Sequence, residues 1–341
     1  MILTRGARIA GAVICVLLAL TAVSWIVRDL TTADGPVQLW RFWEAGPSGE
    51  TQAFLTTTLY DLMLVVVYVF TAVAALRSSV AGSALVSAAV ITAMLRLPGL
   101  WVQNADWMSH WSSDELRFRA VLSTLVAIAG ALALVIIASA GRRPAESPHE
   151  ALPAGPVRGA GVAAGVLLAL AGAAGAGWEI YWVRTTLGVS AAAYAHRFTG
   201  EAGIFMPLLG IPAGWLSVLM ALLCLVAAVG AFARAPFARP LGLVAAAGLT
   251  ASGALSLSLV LRLDLLTHFA DRGLREQLSI AGGLFDLLAG VVVLLVLAGR
   301  GDSAGAGGAL PFRPRPGSYG HAGPGGGGYG PPPPSSPPPG W

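Results

Sequence analysis

Eight predominantly apolar windows, separated by polar breaks, run along the chain at roughly 9–27, 55–76, 79–98, 120–140, 159–177, 208–233, 241–261 and 278–299. Each is near or beyond the ~18 residues that mark a helix able to cross the hydrocarbon layer. The pattern predicts an all-α polytopic membrane protein with about eight transmembrane helices.

The windows fall into two sets of four that echo each other. The stretch "RGARIAGAVICVLLALTAVSWIVR", Arg5 to Arg28, resembles "RGAGVAAGVLLALAGAAGAGWEIYWVR", Arg158 to Arg184. Farther on, Arg28 pairs with Arg184 and Arg41 with Arg197 at an offset of 156, and Glu44 with Glu201 at 157. Asp106, His110 and Arg117 pair with Asp264, His268 and Arg275 at 158. A slowly drifting offset is what tandem duplication followed by small insertions leaves. The expected organisation is a four-helix repeat over 1–143, a cytoplasmic linker over 144–155, a second four-helix repeat over 156–300 and a tail over 301–341. Because each repeat holds an even number of spans, the copies are expected to run parallel, related by a pseudo-two-fold axis along the membrane normal. The copying also argues that the first window is a retained span and not a cleaved signal, since a signal's apolar core is usually shorter.

Composition agrees with a bilayer environment. The chain is 56% hydrophobic and 11% charged, with a mean hydropathy of +0.73, whereas soluble domains carry about 25% charged residues. All 21 basic residues are arginine, against 17 acids, for a net charge of +4. Arginine used to the exclusion of lysine fits GC-rich coding, and no nucleic-acid partner is inferred from it. Placing both termini in the cytoplasm puts eleven arginines and three acids in the short inner segments and the tail. The outer connections are longer and mixed in charge, so the density of arginine favours this orientation. The expected location is the cell membrane, multi-pass, with the bilayer as the main partner.

The tail is a different material. "GDSAGAGGALPFRPRPGSYGHAGPGGGGYGPPPPSSPPPGW" has little to bury and cannot offset the entropy of ordering, so it reads as a disordered cytoplasmic segment with polyproline character. A Pro-rich docking segment for a protein partner is compatible with that composition. Cys15 and Cys224 both fall inside spans, with no CxxC or zinc-type spacing. No P-loop, G-x-S-x-G, HExxH or dinucleotide fingerprint is present, so neither a catalytic residue nor a cofactor is assigned.

Candidate chemistry is confined to a few polar residues. "DWMSH", Asp106 to His110, returns as "DLLTH", Asp264 to His268, in the outer connections that lead into the fourth and eighth spans. Residues four apart share one face of a helix. Two readings stand: an interfacial turn copied with its repeat, or two pairs converging on the pseudo-axis as an outer polar site able to hold a divalent metal or protons. Trp101, Trp107 and Trp111 around the first pair suit an aromatic belt. Ser112–Glu115 suits a capping box for the fourth span, and Asp271 suits a cap for the eighth. Arg117 and Arg275, near those helix starts, call for acidic partners. Asp61 and Asp286 lie inside spans, where a charge costs at least about 2.5–3.5 kcal/mol. They are either steps on an ion path or members of buried pairs, with Arg96, Arg262, Tyr60 and Tyr68 as available partners. Glu179, between two tryptophans, suits an interfacial anchor. Gly and Ala at four-residue intervals over 159–177 point to close helix packing, with the fifth span central in its unit, and Pro207 and Pro212 mark an irregular start to the sixth. Two functions follow: a secondary transporter or permease with an outward-facing polar site, or a membrane-embedded scaffold without transport or catalysis.

Overall fold

A computed structural model describes residues 2–45, 55–110, 112–144, 155–201 and 206–299. Most of the linker and the entire tail, together with Trp111, lie outside the described residues. Twelve helices are described: α1 (Arg5–Thr32), α2 (Pro36–Ala45), α3 (Leu59–Arg77), α4 (Ala81–Arg96), α5 (Gly99–Val102), α6 (Asp106–Ser109), α7 (Asp114–Ala140), α8 (Arg158–Leu187), α9 (Ala191–Thr199), α10 (Ala213–Phe232), α11 (Ala238–Arg262) and α12 (Leu274–Ala298). Eight of these, with α4 and α5 counted as one span over Ala81–Val102, are long and apolar enough to cross a membrane. The chain is a predominantly helical, multi-pass membrane protein.

The helices begin where local chemistry can satisfy their free amides. The Thr4 hydroxyl accepts from Ala7 N at the start of α1, and Ser113 accepts from Leu116 N at the start of α7. Thr58 and Asp61 form a capping box that opens α3. The capping box expected at Ser112–Glu115 is therefore a simple serine cap, with Asp114 and Glu115 in the first turn instead paired to Arg117 and Arg119. Asp271 does not cap the eighth span: its N-cap is Gly273, without a side-chain bond.

Several helices outrun their apolar windows at the end of the bundle that holds the long connections, here the loop face, because a helix can continue where headgroups and water satisfy its side chains. Two begin at least four residues later than their windows. Residues 55–58 are extended because Asp29 takes the amides of Thr56 and Thr57, and residues 206–212 cannot join α10 because Pro212 stands at its N-cap. The opposite, terminal face is pinned by a small antiparallel ladder, β1 (Ile2–Leu3) with β2 (Arg142–Arg143), which ties the start of α1 to the end of α7.

Packing follows one order twice. Helix α1 packs on α3, α3 on α4, α4 on α7 and α7 on α1; likewise α8 packs on α10, α10 on α11, α11 on α12 and α12 on α8. The two rings meet where α11 lies against α4 and α3, with α2 resting on α11 and α10 touching α4. In lipid, association depends on close van der Waals contact, and the second ring obtains it with glycine: a methyl group at Gly253 in α11 would fall 2.3 Å from Leu287 N in α12. Within the second ring the most enclosed span is α11, with 44% of its apolar window buried, against 33% for α8. The expectation that the fifth span is central is thus corrected; its small residues serve one tight face against α10, as at Gly172 beside Ala221 O, while Val162, Val166 and Leu170 remain exposed.

Candidate functional site

The polar residues of the first ring form a continuous buried cage near the loop face. Asp29, fully buried in the last turns of α1, collects donors from a segment 27 residues away. Thr56 N and Thr57 N donate to its Oδ2 at 2.8 and 2.6 Å, and the hydroxyls of the same threonines donate at 2.9 and 2.7 Å. Arg28 donates to its Oδ1 at 2.7 Å. Five donors around one carboxylate compensate its removal from water.

The cage continues through Thr58 into α3. Asp61 Oδ2 accepts from Thr58 N at 2.7 Å and from its hydroxyl at 3.1 Å, while Asp61 Oδ1 pairs with Arg96 of α4. Both charges are buried, and beside them the Tyr68 and Thr92 hydroxyls are bonded at 2.8 Å. Of the partners open to Asp61 in the sequence, the geometry selects Arg96 and the capping box.

A segment of the second half covers this cage. Leu208 and Leu209, buried with Trp25, Val102 and Met108, belong to the irregular stretch before α10. Leu209 N donates to Thr56 O at 2.9 Å, and the buried Gln103 side chain donates to Thr124 Oγ1 at 2.9 Å and Leu208 O at 3.3 Å. The Pro-flanked break therefore presents buried leucines to the first ring. It plugs the first ring with two leucines.

The repeated Asp and His residues do not behave as acid–imidazole pairs. At Asp106–Ser109 the helix is a single turn, and His110 Nδ1 lies 3.2 Å from the backbone carbonyl of Asp106, not its carboxylate; both side chains are exposed. At 264–268 the chain forms turns instead of a helix. Asp264 has a left-handed backbone with φ of 49° and accepts from the Thr267 hydroxyl at 2.6 Å, whereas His268 faces Asp271 at 3.7 Å. Among the described residues, no group of three or more His, Cys, Asp or Glu side chains is gathered for a metal ion.

Other residues matched by the repeat diverge in the same way. Arg28 serves Asp29, while Arg184 is exposed. Arg41 is exposed on α2, while its counterpart Arg197 on α9 forms a bidentate pair with Glu179 at 3.0 and 2.8 Å and stacks over Trp182 at 4.7 Å. Glu44 reaches across to Arg262 of α11 at 3.3 Å, its buried Oε1 having no hydrogen-bond partner among the described residues, whereas Glu201 lies 2.8 Å from His196 Nδ1. Arg117 finds Asp114 at 2.7 Å, but Arg275 stacks on Trp182 and Tyr181 instead of meeting an acid. The expected belt tryptophans that are described work as joints: Trp101 stacks edge-on with Trp215 at 5.3 Å, and Trp107 packs against the plug.

Asp286 differs from every other span acid. It is the thirteenth residue of α12, half-buried, and makes no hydrogen bond or ion pair among the described residues. Its carboxylate lies within electrostatic reach of Tyr60, which sits against Ser252, and of Cys224. Sequence reasoning overlooked Asp29 and Gln103. The available signal for Asp29 was the run Thr56–Thr58 just before a span, three hydroxyls where an apolar start is expected. Comparison with family models, curated proteins and solved structures finds no match to this chain.

Proposed function

We propose that the chain is a membrane-embedded scaffold without transport or catalysis. It is placed in the cell membrane with both termini cytoplasmic, and is built from two parallel four-helix repeats over 1–143 and 156–300. The observation that carries this reading is the saturation of the buried polar groups in the first ring. Asp29 and Asp61 are enclosed by donors from their own chain and covered by Leu208 and Leu209, so they offer no vacant coordination to a passing ion. The repeat is supported by the common packing order of the rings and by the positions of Arg41 and Arg197 on short helices that each follow the first span of a ring. The Pro-rich tail supplies a segment of the kind that protein partners dock on.

A transport role is favoured by one residue, Asp286, which keeps a half-buried carboxylate within α12 that has no ion partner among the described residues. The two readings separate in sealed vesicles carrying the full chain under an imposed proton gradient or potential. The scaffold gives flux equal to protein-free vesicles, unchanged in Asp286→Asn. Flux above that level that Asp286→Asn abolishes would overturn it in favour of a permease.

A further inference from the structure

The seam between the rings is closed on one side and open on the other. Where α3 meets α11, Tyr60 sits against Ser252, and α2 adds Trp40 to Ser258 at 2.8 Å. Where α4 meets α10, Trp215 Nε1 donates to Met94 O at 2.8 Å near the loop face. Toward the terminal face these helices part and leave an apolar groove of about 880 Å³, within the range of small-molecule sites. Its walls include Val86 and Val90 from α4 and Leu222 and Val226 from α10, with Phe237 near the base. From Gly82 to Met94 the groove follows about 18 Å of helix at ~1.5 Å per residue, slightly more than the about 15 Å depth of one leaflet's hydrocarbon.

At its base the groove meets a second space of about 450 Å³, sharing Ile2, Leu3 and Ser79 with it. Arg5, Arg8, Arg77 and Arg143 line this space, and among the described residues no carboxylate does. Arg142 stands at the rim of the groove itself. Arg5 and Arg77 are exposed and make no ion pair or hydrogen bond among the described residues. Four guanidinium groups are brought together by the β1–β2 ladder, which holds Arg143 beside the start of α1. Arg5, Arg8 and Arg77, which have no acidic partner among the described residues, repel one another unless an anion sits among them, and a guanidinium is matched to phosphate oxygens.

We infer that this composite site binds one anionic phospholipid of the leaflet on the terminal face, its phosphate among Arg5, Arg8, Arg77 and Arg143 and one acyl chain in the groove between α4 and α10. A basic pocket next to an apolar inter-helix channel, both opening at the same depth, matches an amphipathic anion and neither a free phosphate nor a neutral lipid. The tail's charged side chains, Asp302 against Arg313 and Arg315, give it no excess of acid to offer the pocket.

The full chain in neutral detergent micelles doped with phosphatidylglycerol or phosphatidylcholine provides the test, with retained lipid quantified by native mass spectrometry. The expected result is one tightly held phosphatidylglycerol per chain and at least about tenfold weaker retention of phosphatidylcholine. Arg5→Gln with Arg77→Gln should weaken the anionic lipid by about fivefold per arginine, whereas Arg158→Gln with Arg234→Gln should leave it unchanged. Val226→Trp, or Leu222→Trp should the first fail to fold, fills the groove from an exposed position and should weaken retention about tenfold without touching the arginines. Equal retention of both lipids overturns the site, as does equal sensitivity to the two arginine pairs, which would signal diffuse surface charge. Indifference to both tryptophan variants removes the acyl groove. Displacement by millimolar inorganic phosphate identifies a free-anion site instead. A gain of lipid in a chain ending at Ser303 makes the tail the occupant and ends the proposal.

Discussion

Along the chain, Tyr60-Asp61-Leu62 of the first ring closely parallels Phe285-Asp286-Leu287 of the other: each is an acid between an aromatic and a leucine, inside an apolar window. Their circumstances differ because of where each falls on its helix. Asp61 is in the first turn of α3, where amides are free, the helix dipole favours a negative charge, and Arg96 completes the pair. Asp286 lies in the middle of α12, where every local amide is already used by the helix. Only a tertiary partner could compensate it, and among the described residues none bonds to it. A span acid near a helix start is therefore accommodated on local grounds, while one at mid-helix depends on what the other helices bring.

The sharpest way to break this contrast is to remove the partner of Asp61. Arg96→Leu leaves a buried, uncompensated carboxylate and should destabilise the protein by about 3–5 kcal/mol, read as a fall in the thermal midpoint in detergent. The companion Arg96→Leu, Asp61→Leu double variant should recover most of that, because an apolar replacement of a buried pair is often neutral. The residual loss should be about 1 kcal/mol, from the missing cap on Thr58 N. A double variant as unstable as the single one would show that the pair contributes through more than charge compensation.

Asp286→Leu is expected to act in the opposite direction. Removing an unpaired span carboxylate should stabilise α12 by about 1–2 kcal/mol, below the about 2.5–3.5 kcal/mol insertion scale because the side chain is only half-buried. A destabilisation larger than about 1 kcal/mol would reveal a partner and erase the difference between the two acids. The smallest effect belongs to the repeated histidines. His110→Gln and His268→Gln should each change stability by less than about 0.5 kcal/mol and combine additively. A coupling above about 1 kcal/mol in the double variant would restore a shared site at the axis.

Much of the fold was legible because bilayer physics acts on windows of sequence. A spanning helix satisfies its backbone internally, so eight apolar stretches announce eight helices; the serine cap of α7 falls within the expected Ser112–Glu115 stretch, while the caps at Thr4 and Thr58 were not anticipated. The short helices α2 and α9 were less visible, since ten residues with a mixed surface, such as Pro36–Ala45, read as connection as easily as helix. The repeated Asp and His drew attention by spacing, yet equal spacing does not guarantee equal backbone. Asp106 stands on one helical turn, whereas Asp264 adopts a left-handed conformation in a run of turns.

The membrane, the eight spans and the echo between the two sets of four windows could all be read along the chain, because they rest on the average polarity of a window or on the sequence itself. Which charges meet was a matter of packing: Asp29 with Thr56 and Thr57, Glu179 with Arg197, Glu44 with Arg262, and four arginines around the start of α1. So was the closing of one seam between the rings on Tyr60 while the other stays open as a groove. The physical reason is that a buried charge is compensated by whichever donors the packed helices bring within about 3 Å of it, and that distance depends on helix rotation and tilt, which hydropathy does not encode.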